Sequence, residues 1–353
     1  MAPLQRREVL GLGGLSAAGL LLQAASTPQG PSSVQQQPLK KIALEEHFSI
    51  KALLPTEQEV SFFALEILAA IEPRLPELGE ARLKAIDAAG IDIAVLSQTA
   101  PGIQGISSPT EASGLAIEAN NALHSAIAMH MTRFKGFAAL NMQNVDHACD
   151  ELKRCVLELG FVGALVNGSS QGIYLDDPSM APLWSCLEDL DVPLYLHPGI
   201  PTDQPSSMVK ELDGATWGWS FDTATHALRL IVKGVFEKHP GANVILGHMG
   251  ENLPFYLWRL DSRFATTRYR DSISMSPGDC FRKHFWITTS GVCDNAALQC
   301  SIDSLGDDRV MFSTDYPYED IELAGHWIEQ APVSNAIKKK ICRDNARQLL
   351  KLT

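Results

Sequence analysis

The sequence predicts an α/β fold, a closed (β/α)₈ barrel, and three observations carry that reading. Eight apolar runs alternate with helix-type segments from residue 40 onward, and no second set of strands is left over. The runs lack strict polar alternation, as parallel strands covered on both faces do. Residues able to hold a cation stand at the ends of runs one, five, six and eight. Closure of the sheet brings those ends to one mouth. A doubly wound open sheet, the competing architecture, does not.

The chain opens with residues 1–26, which read as a targeting segment. Arg6-Arg7-Glu8-Val9-Leu10 leads into GLGGLSAAGLLLQAA, a run too short and too glycine-rich for a membrane span. It resembles a bacterial twin-arginine signal, with Gln5 where that motif usually has Ser or Thr. Export to the periplasm is the expectation; an uncleaved anchor or a plain extension, with the protein left in the cytoplasm, is the alternative. Residues 27–39 are a polar, proline-bearing linker, and residues 40–353 form a single catalytic domain. Its predicted strands are IALEEHF (42–48), IDIAVLS (91–97), KGFAAL (135–140), VGALVN (162–167), VPLYLH (192–197), NVILGH (243–248), FWITTS (285–290) and RVMFST (309–314). Helical segments over 80–90, 110–130, 146–160 and 221–241 lie between them, several stopping at a glycine such as Gly90 or Gly160. Residues 49–80 and 198–218 are longer than a connection needs. Both follow strand ends, so they are expected to wall a pocket.

Composition narrows the function classes. With 45% hydrophobic and 20% charged residues the chain suits a large core. A net charge of −12, a pI near 5.3 and no basic stripe argue against nucleic acid and anionic membranes as partners. The seven cysteines are scattered without a CxxC, so neither a zinc knot nor a disulfide framework is indicated.

Chemistry concentrates in a few residues. Glu45 and His47 are two apart, hence on one face of a strand. His197, His248 and Asp315 end three later runs. The remaining histidines (124, 130, 147, 226, 239, 284 and 326) fall in predicted helices or connections. Mixed imidazole and carboxylate ligands suit one divalent ion, Zn²⁺ or Mn²⁺ before Mg²⁺ or Fe²⁺. The fourth run ends at Asn167, with no lysine to bridge a second metal. Glu251, three residues after His248, is placed to orient that imidazole. Arg259, on the helix expected after the sixth strand, is a cation able to meet a substrate carboxylate, or else to pair with Asp261 or another helix.

The motifs IALEEHF, SQTAPGIQ, ATWGWSFDTATHALRLIVKGVFEKHP, LGHMGENLPFYLWRLDSR, WITTSG, FSTDYPYE and NARQLL together resemble the amidohydrolase superfamily. The branch is that of the aminocarboxymuconate-semialdehyde decarboxylase-like proteins, most like the γ-resorcylate and 2,3-dihydroxybenzoate decarboxylases, over about residues 40–352. The resemblance implies a metal-dependent hydrolase-type barrel assembled as a homodimer or homotetramer. It implies metal ligation by Glu45, His47, His197 and Asp315, with His248 catalytic beside them. It also implies Arg259 on a substrate carboxylate and Asn120 in the pocket, with Asn121 an equal alternative register. The implied reaction is non-oxidative decarboxylation of a small hydroxylated aromatic acid. Asp315 would protonate the ring carbon either through a raised pKa of its own or with a proton relayed from His248. The same ligand set would also serve a hydrolase of a lactone or amide, and a non-catalytic barrel is a third class.

Overall fold

Nine parallel strands run in chain order around the computed structural model, which describes residues 39–57, 59–201 and 207–352. The expected export signal, and the linker apart from Leu39, lie outside the described residues. Strands β1 (Ile42–Phe48), β2 (Ile93–Gln98) and β3 (Phe134–Gly136) form one ladder. The second ladder holds β4 (Ala138–Ala139), β5 (Ala164–Asn167), β6 (Leu194–His197), β7 (Val244–Leu246), β8 (Phe285–Thr288) and β9 (Val310–Met311).

The predicted run 135–140 is thus split at Phe137. Phe137 donates its N–H to Leu96 (3.0 Å), whereas Ala138 donates to Gly163 (2.9 Å). At this point the chain passes from one neighbour to the other. No ladder joins β9 to β1 among the described residues. Two backbone hydrogen bonds make that junction: Asp315 N–H to Glu45 C=O (3.0 Å) and His47 N–H to Tyr316 C=O (2.7 Å).

Side-chain packing shows that the sheet encloses a centre. Ile42, Leu44, Val95, Phe137, Leu165, Tyr195, Ile245, Trp286 and Met311 form one buried apolar cluster. Seven strands and the junction between β3 and β4 contribute to it, which a flat sheet does not allow. A second, larger cluster packs the outward residues, such as Ala43, Leu96, Val166, Leu196, Leu246 and Ile287, against the surrounding helices. The predicted helix 221–241 is interrupted: Gly218–Val232 is followed by a separate turn, Val235–Lys238. No helix of the described residues is long and apolar enough to cross a membrane.

One irregularity of β1 decides which of its side chains reach the interior. Ala43 pairs with Ala94 and Glu46 with Leu96, so three steps along β1 match two along β2. This bulge lets Leu44 and Glu45 both face the interior, after which His47 faces inward again and Glu46 outward. Strict alternation from Leu44 would have turned Glu45 away.

Candidate metal centre and active site

Glu45, His47, His197 and Asp315 each offer one ligand atom, and these atoms lie within 4.8 Å of one another. The Nε2 of His197 is 3.1 Å from Glu45 Oε1, and His47 Nε2 is 3.2 Å from Asp315 Oδ1. His248 stands beside them, its Nε2 3.6 Å from Glu45 Oε1 and 3.5 Å from Asp315 Oδ2. Gly247 precedes it, and a side chain there would collide with the Glu45 carboxylate.

The donor set fits a divalent cation. Glu45 Oε1 and His47 Nε2 are fully buried yet have no hydrogen-bond partner, a costly arrangement unless an ion completes it. The outer atoms are meanwhile occupied, which aims the inner ones. Asn167 Oδ1 meets His197 Nδ1 at 2.9 Å, so the ring carries its proton there and leaves the Nε2 lone pair free. Ser97 Oγ lies 3.4 Å from His47 Nδ1. The Tyr195 hydroxyl donates to Glu45 Oε2 and lies 2.8 Å from Thr288 Oγ1. Two carboxylates, two imidazoles and no thiolate match a hard or borderline divalent ion.

Charge distribution in the site is uneven. Burial works against ionised Glu45, but His248, His197 and His47 outweigh it and hold the carboxyl far below its usual range. Burial likewise raises Asp315, and the close imidazoles of His248 and His47 reverse this, leaving it below the ordinary value. His248 is disfavoured as a cation by burial, yet Glu251, Glu45 and Asp315 push its pKa well above that of a free imidazole. In the Asp315–His248 pair the proton therefore rests on His248.

His248 is aimed by an unusual corner. Residues His248, Met249, Gly250, Glu251 and Asn252 all have positive φ, from 47° to 73°. They make a left-handed turn at the end of β7 rather than the start of an ordinary helix. Across it Glu251 Oε1 reaches His248 Nδ1 at 2.7 Å, while Glu251 Oε2 accepts from Ser220 Oγ at 2.5 Å.

The cluster opens into a cleft lined by Val60, Phe63, Thr99, Pro101, Ile200, Trp219, Tyr318 and Glu319, among others. Residues of both long segments, 49–80 and 198–218, contribute to its walls. The Tyr318 ring lies edge-on to His47 (5.7 Å) and stacks on Phe63 (6.0 Å), with its hydroxyl 2.6 Å from Thr99 Oγ1. Phe62 meets Trp219 edge-on at 5.0 Å.

Two expected substrate residues lie elsewhere. Asn120 is buried in the helix Pro109–Met129 and does not line the cleft. It accepts from Ala139 N–H (2.8 Å) and donates to Ala139 C=O (3.0 Å) and Glu151 (2.8 Å). Its polarity is spent completing the short β4. Asn121, the other register, accepts from Arg154 on an exposed face (3.0 Å). Arg259 lies on the exposed side of the helix Leu253–Phe264, outside the cleft of its own chain. The pairing with Asp261 is not made either: Asp261 accepts from Gly278 N–H instead (2.7 Å).

Sequence reasoning missed Tyr195, Tyr318 and Glu46. Tyr195 had a signal, since it precedes His197 by two residues and so shares its face. Tyr318 sits in a loop, where no periodicity applies. Glu46 is buried on the opposite side of β1, and burial pushes its carboxyl up to about 8 against the lowering effect of its bonds to Thr314.

A barrel whose mouth carries a largely buried Glu/His/His/Asp cluster beside a further imidazole defines a metal-dependent enzyme. The chain belongs to the amidohydrolase family, whose model matches residues 64–352. It is 42% identical over 323 residues to the γ-resorcylate decarboxylase of a Rhizobium strain, covering 88% of this chain and 98% of the relative. Among solved structures it is similar to a 2,6-dihydroxybenzoate decarboxylase complexed with 2,6-dihydroxybenzoate. The two are 41% identical with a TM-score of 0.82, over 89% of this chain and 100% of the other. It is also similar to a dihydroxybenzoic acid decarboxylase from a Polaromonas strain with bound manganese and the inhibitor 2-nitroresorcinol. That match is 40% identical with a TM-score of 0.82, over 89% and 97% of the two chains.

Proposed function

We propose that this protein is a metal-dependent, non-oxidative decarboxylase of a hydroxylated aromatic acid. The observation that carries the reading is the ligand cluster, with His248 held beside it by Glu251, at the end of an aromatic-walled cleft. The activities and ligands of the relatives support it.

Glu45, His47, His197 and Asp315 would hold the ion, which when bound supplies a positive centre that draws in the acid's carboxylate and adjacent hydroxyl. Phe63, Ile200, Trp219 and Tyr318 pack on the ring and exclude water. His248 stores the proton at Nε2, with Glu251 fixing the ring from Nδ1. Asp315 passes that proton from His248 to the ring carbon bearing the carboxylate. The C–C bond then breaks, its electron pair restores the aromatic ring, CO₂ departs, and the carbon keeps the new hydrogen. His248 regains a proton from solvent. The test is to incubate manganese-loaded protein with 2,6-dihydroxybenzoate, other hydroxybenzoates and aromatic lactones. Stoichiometric CO₂ and phenol support the reading; lactone opening without CO₂ overturns it.

Two further expectations belong to the same proposal. Homo-oligomerisation, as a dimer or tetramer, is supported by the exposed Phe255, Tyr256 and Trp258 on the helix Leu253–Phe264; light scattering giving a monomer would oppose it. Export through the twin-arginine-type segment is supported by the Arg6-Arg7 pair and the apolar run after it.

A further inference from the structure

The geometry points to Glu46 as a positioning residue that holds Asp315 in place through the two residues before it. Three consecutive residues of β1 grip four consecutive residues after β9. Glu45 C=O accepts from Asp315 N–H (3.0 Å), and His47 N–H donates to Tyr316 C=O (2.7 Å). Between them, Glu46 accepts from Thr314 N–H (3.0 Å), Thr314 Oγ1 (2.7 Å) and Ser313 Oγ (3.2 Å). Ser313 Oγ in turn accepts from Glu45 N–H (2.5 Å), so the grip also ties back to the first ligand.

The grip has something to resist. Asp315 adopts φ +67°, a left-handed conformation that aspartate tolerates better than most residues but still populates less than the right-handed one. Its two carboxylate oxygens point at different partners, Oδ1 at His47 and Oδ2 at His248, and a small backbone rotation would lose both. Beneath the same segment, the buried Arg82 guanidinium lies 5.0 Å from the Tyr316 ring. Glu46 is 1% exposed and faces away from the cleft, so it touches neither ring nor ion. The action is assigned to hydrogen-bond acceptance, because its hydrogen-bond partners are one amide and two hydroxyls, while Arg82, whose charge also acts on it, hydrogen-bonds the Glu77 and Arg74 carbonyls instead.

The rate readout rests on the decarboxylase reading; the metal readout does not. Glu46→Ala is expected to weaken manganese binding about 10- to 100-fold in a competition titration. It should also lower kcat with KM within a few-fold. Glu46→Gln keeps a carbonyl oxygen for Thr314 N–H and an amide that the Thr314 hydroxyl can accept from, so it should restore both quantities to within a few-fold of the unmodified protein. Should Glu46→Ala not fold, Thr314→Val probes the grip from the other side and should weaken manganese binding in the same direction. Metal affinity unchanged in Glu46→Ala, or in Thr314→Val where that is the folded variant, with only the melting temperature of the metal-free protein lowered, would reduce Glu46 to a structural role and overturn the proposal. Failure of Glu46→Gln to rescue would overturn it too, by showing that charge is what matters. A protein that binds manganese but decarboxylates nothing would refute the proposed function while leaving this inference to the titration.

Discussion

The amide of Asp315 donates to the carbonyl of Glu45 at 3.0 Å, so the bond that joins the last strand's end to the first also sets two ligand-type residues side by side. Barrel closure and site assembly are one event here. The neighbouring bond, His47 to Tyr316, does the same for a third ligand-type residue.

Asp315→Asn is expected to abolish turnover, by about 10³-fold or more, because the amide neither relays a proton nor matches the carboxylate as a ligand. Asparagine tolerates the left-handed conformation as aspartate does, so circular dichroism should be unchanged. A near-native kcat would remove Asp315 from the chemistry.

Glu251→Gln should cost roughly 10²-fold in kcat, since the acceptor at His248 Nδ1 and its countercharge are both weakened. Ser220→Ala, which frees the far oxygen of Glu251, should cost less, about threefold to tenfold. Steady-state rates on the same substrate rank the two; the reverse order would contradict the orienting role.

Removal of the metal should leave the barrel folded but less stable. Glu45 is wholly buried and Asp315 nearly so, and their mutual repulsion grows once the cation is gone. With manganese at about 100 times its dissociation constant, mass action adds about 2.7 kcal/mol. Thermal melts with chelator and with restored manganese should differ by a few degrees and interconvert.

His226 gives a prediction about pH. It is fully buried, accepts from Leu175 N–H through Nε2 (2.8 Å), and burial holds its pKa down at about 3. The folded state therefore resists the proton that the unfolded chain takes up at about 6.5. Its contribution to stability is complete above that value and is lost as pH falls toward about 3, by up to about 1.4 kcal/mol per unit. Urea unfolding of the protein and of His226→Gln between pH 7 and 5 should show the steeper loss in the unmodified chain.

The double substitution Arg6→Lys with Arg7→Lys should block export while leaving activity in lysate intact. Fractionation of cells expressing each form checks this. Periplasmic activity that survives the change would remove the twin-arginine reading.

Much of the barrel was legible because burial on both faces leaves a chemical trace in each run, and because the ligand-type residues end those runs. Glu45 and His47 were readable as a pair from their spacing. The bulge that turns Glu45 inward was not, since an extra residue in a strand has no signature in an apolar run. Asn120 and Arg259 illustrate the other limit. The helix carrying Asn120 was predicted, but which way its polar side chain turns depends on neighbours such as Ala139 and Glu151, set by packing far along the chain. The left-handed corner at His248 was equally hidden: Gly250 and Asn252 favour positive φ, but neither signals that five residues in a row adopt it.

That corner fixes what kind of change the protein tolerates there. Four residues bearing side chains, together with Gly250, spiral in the mirror sense to every helix around them, at a cost on the order of 1 kcal/mol apiece. A β-carbon at Gly250 would fall 2.8 Å from Ile287 and 3.1 Å from Pro254, so even alanine has no berth. A chain that unwound to the common handedness would swing the imidazole out of register with Asp315. Chirality of the main chain at one bend, as much as the identity of any side group, keeps the acid pointed at its target.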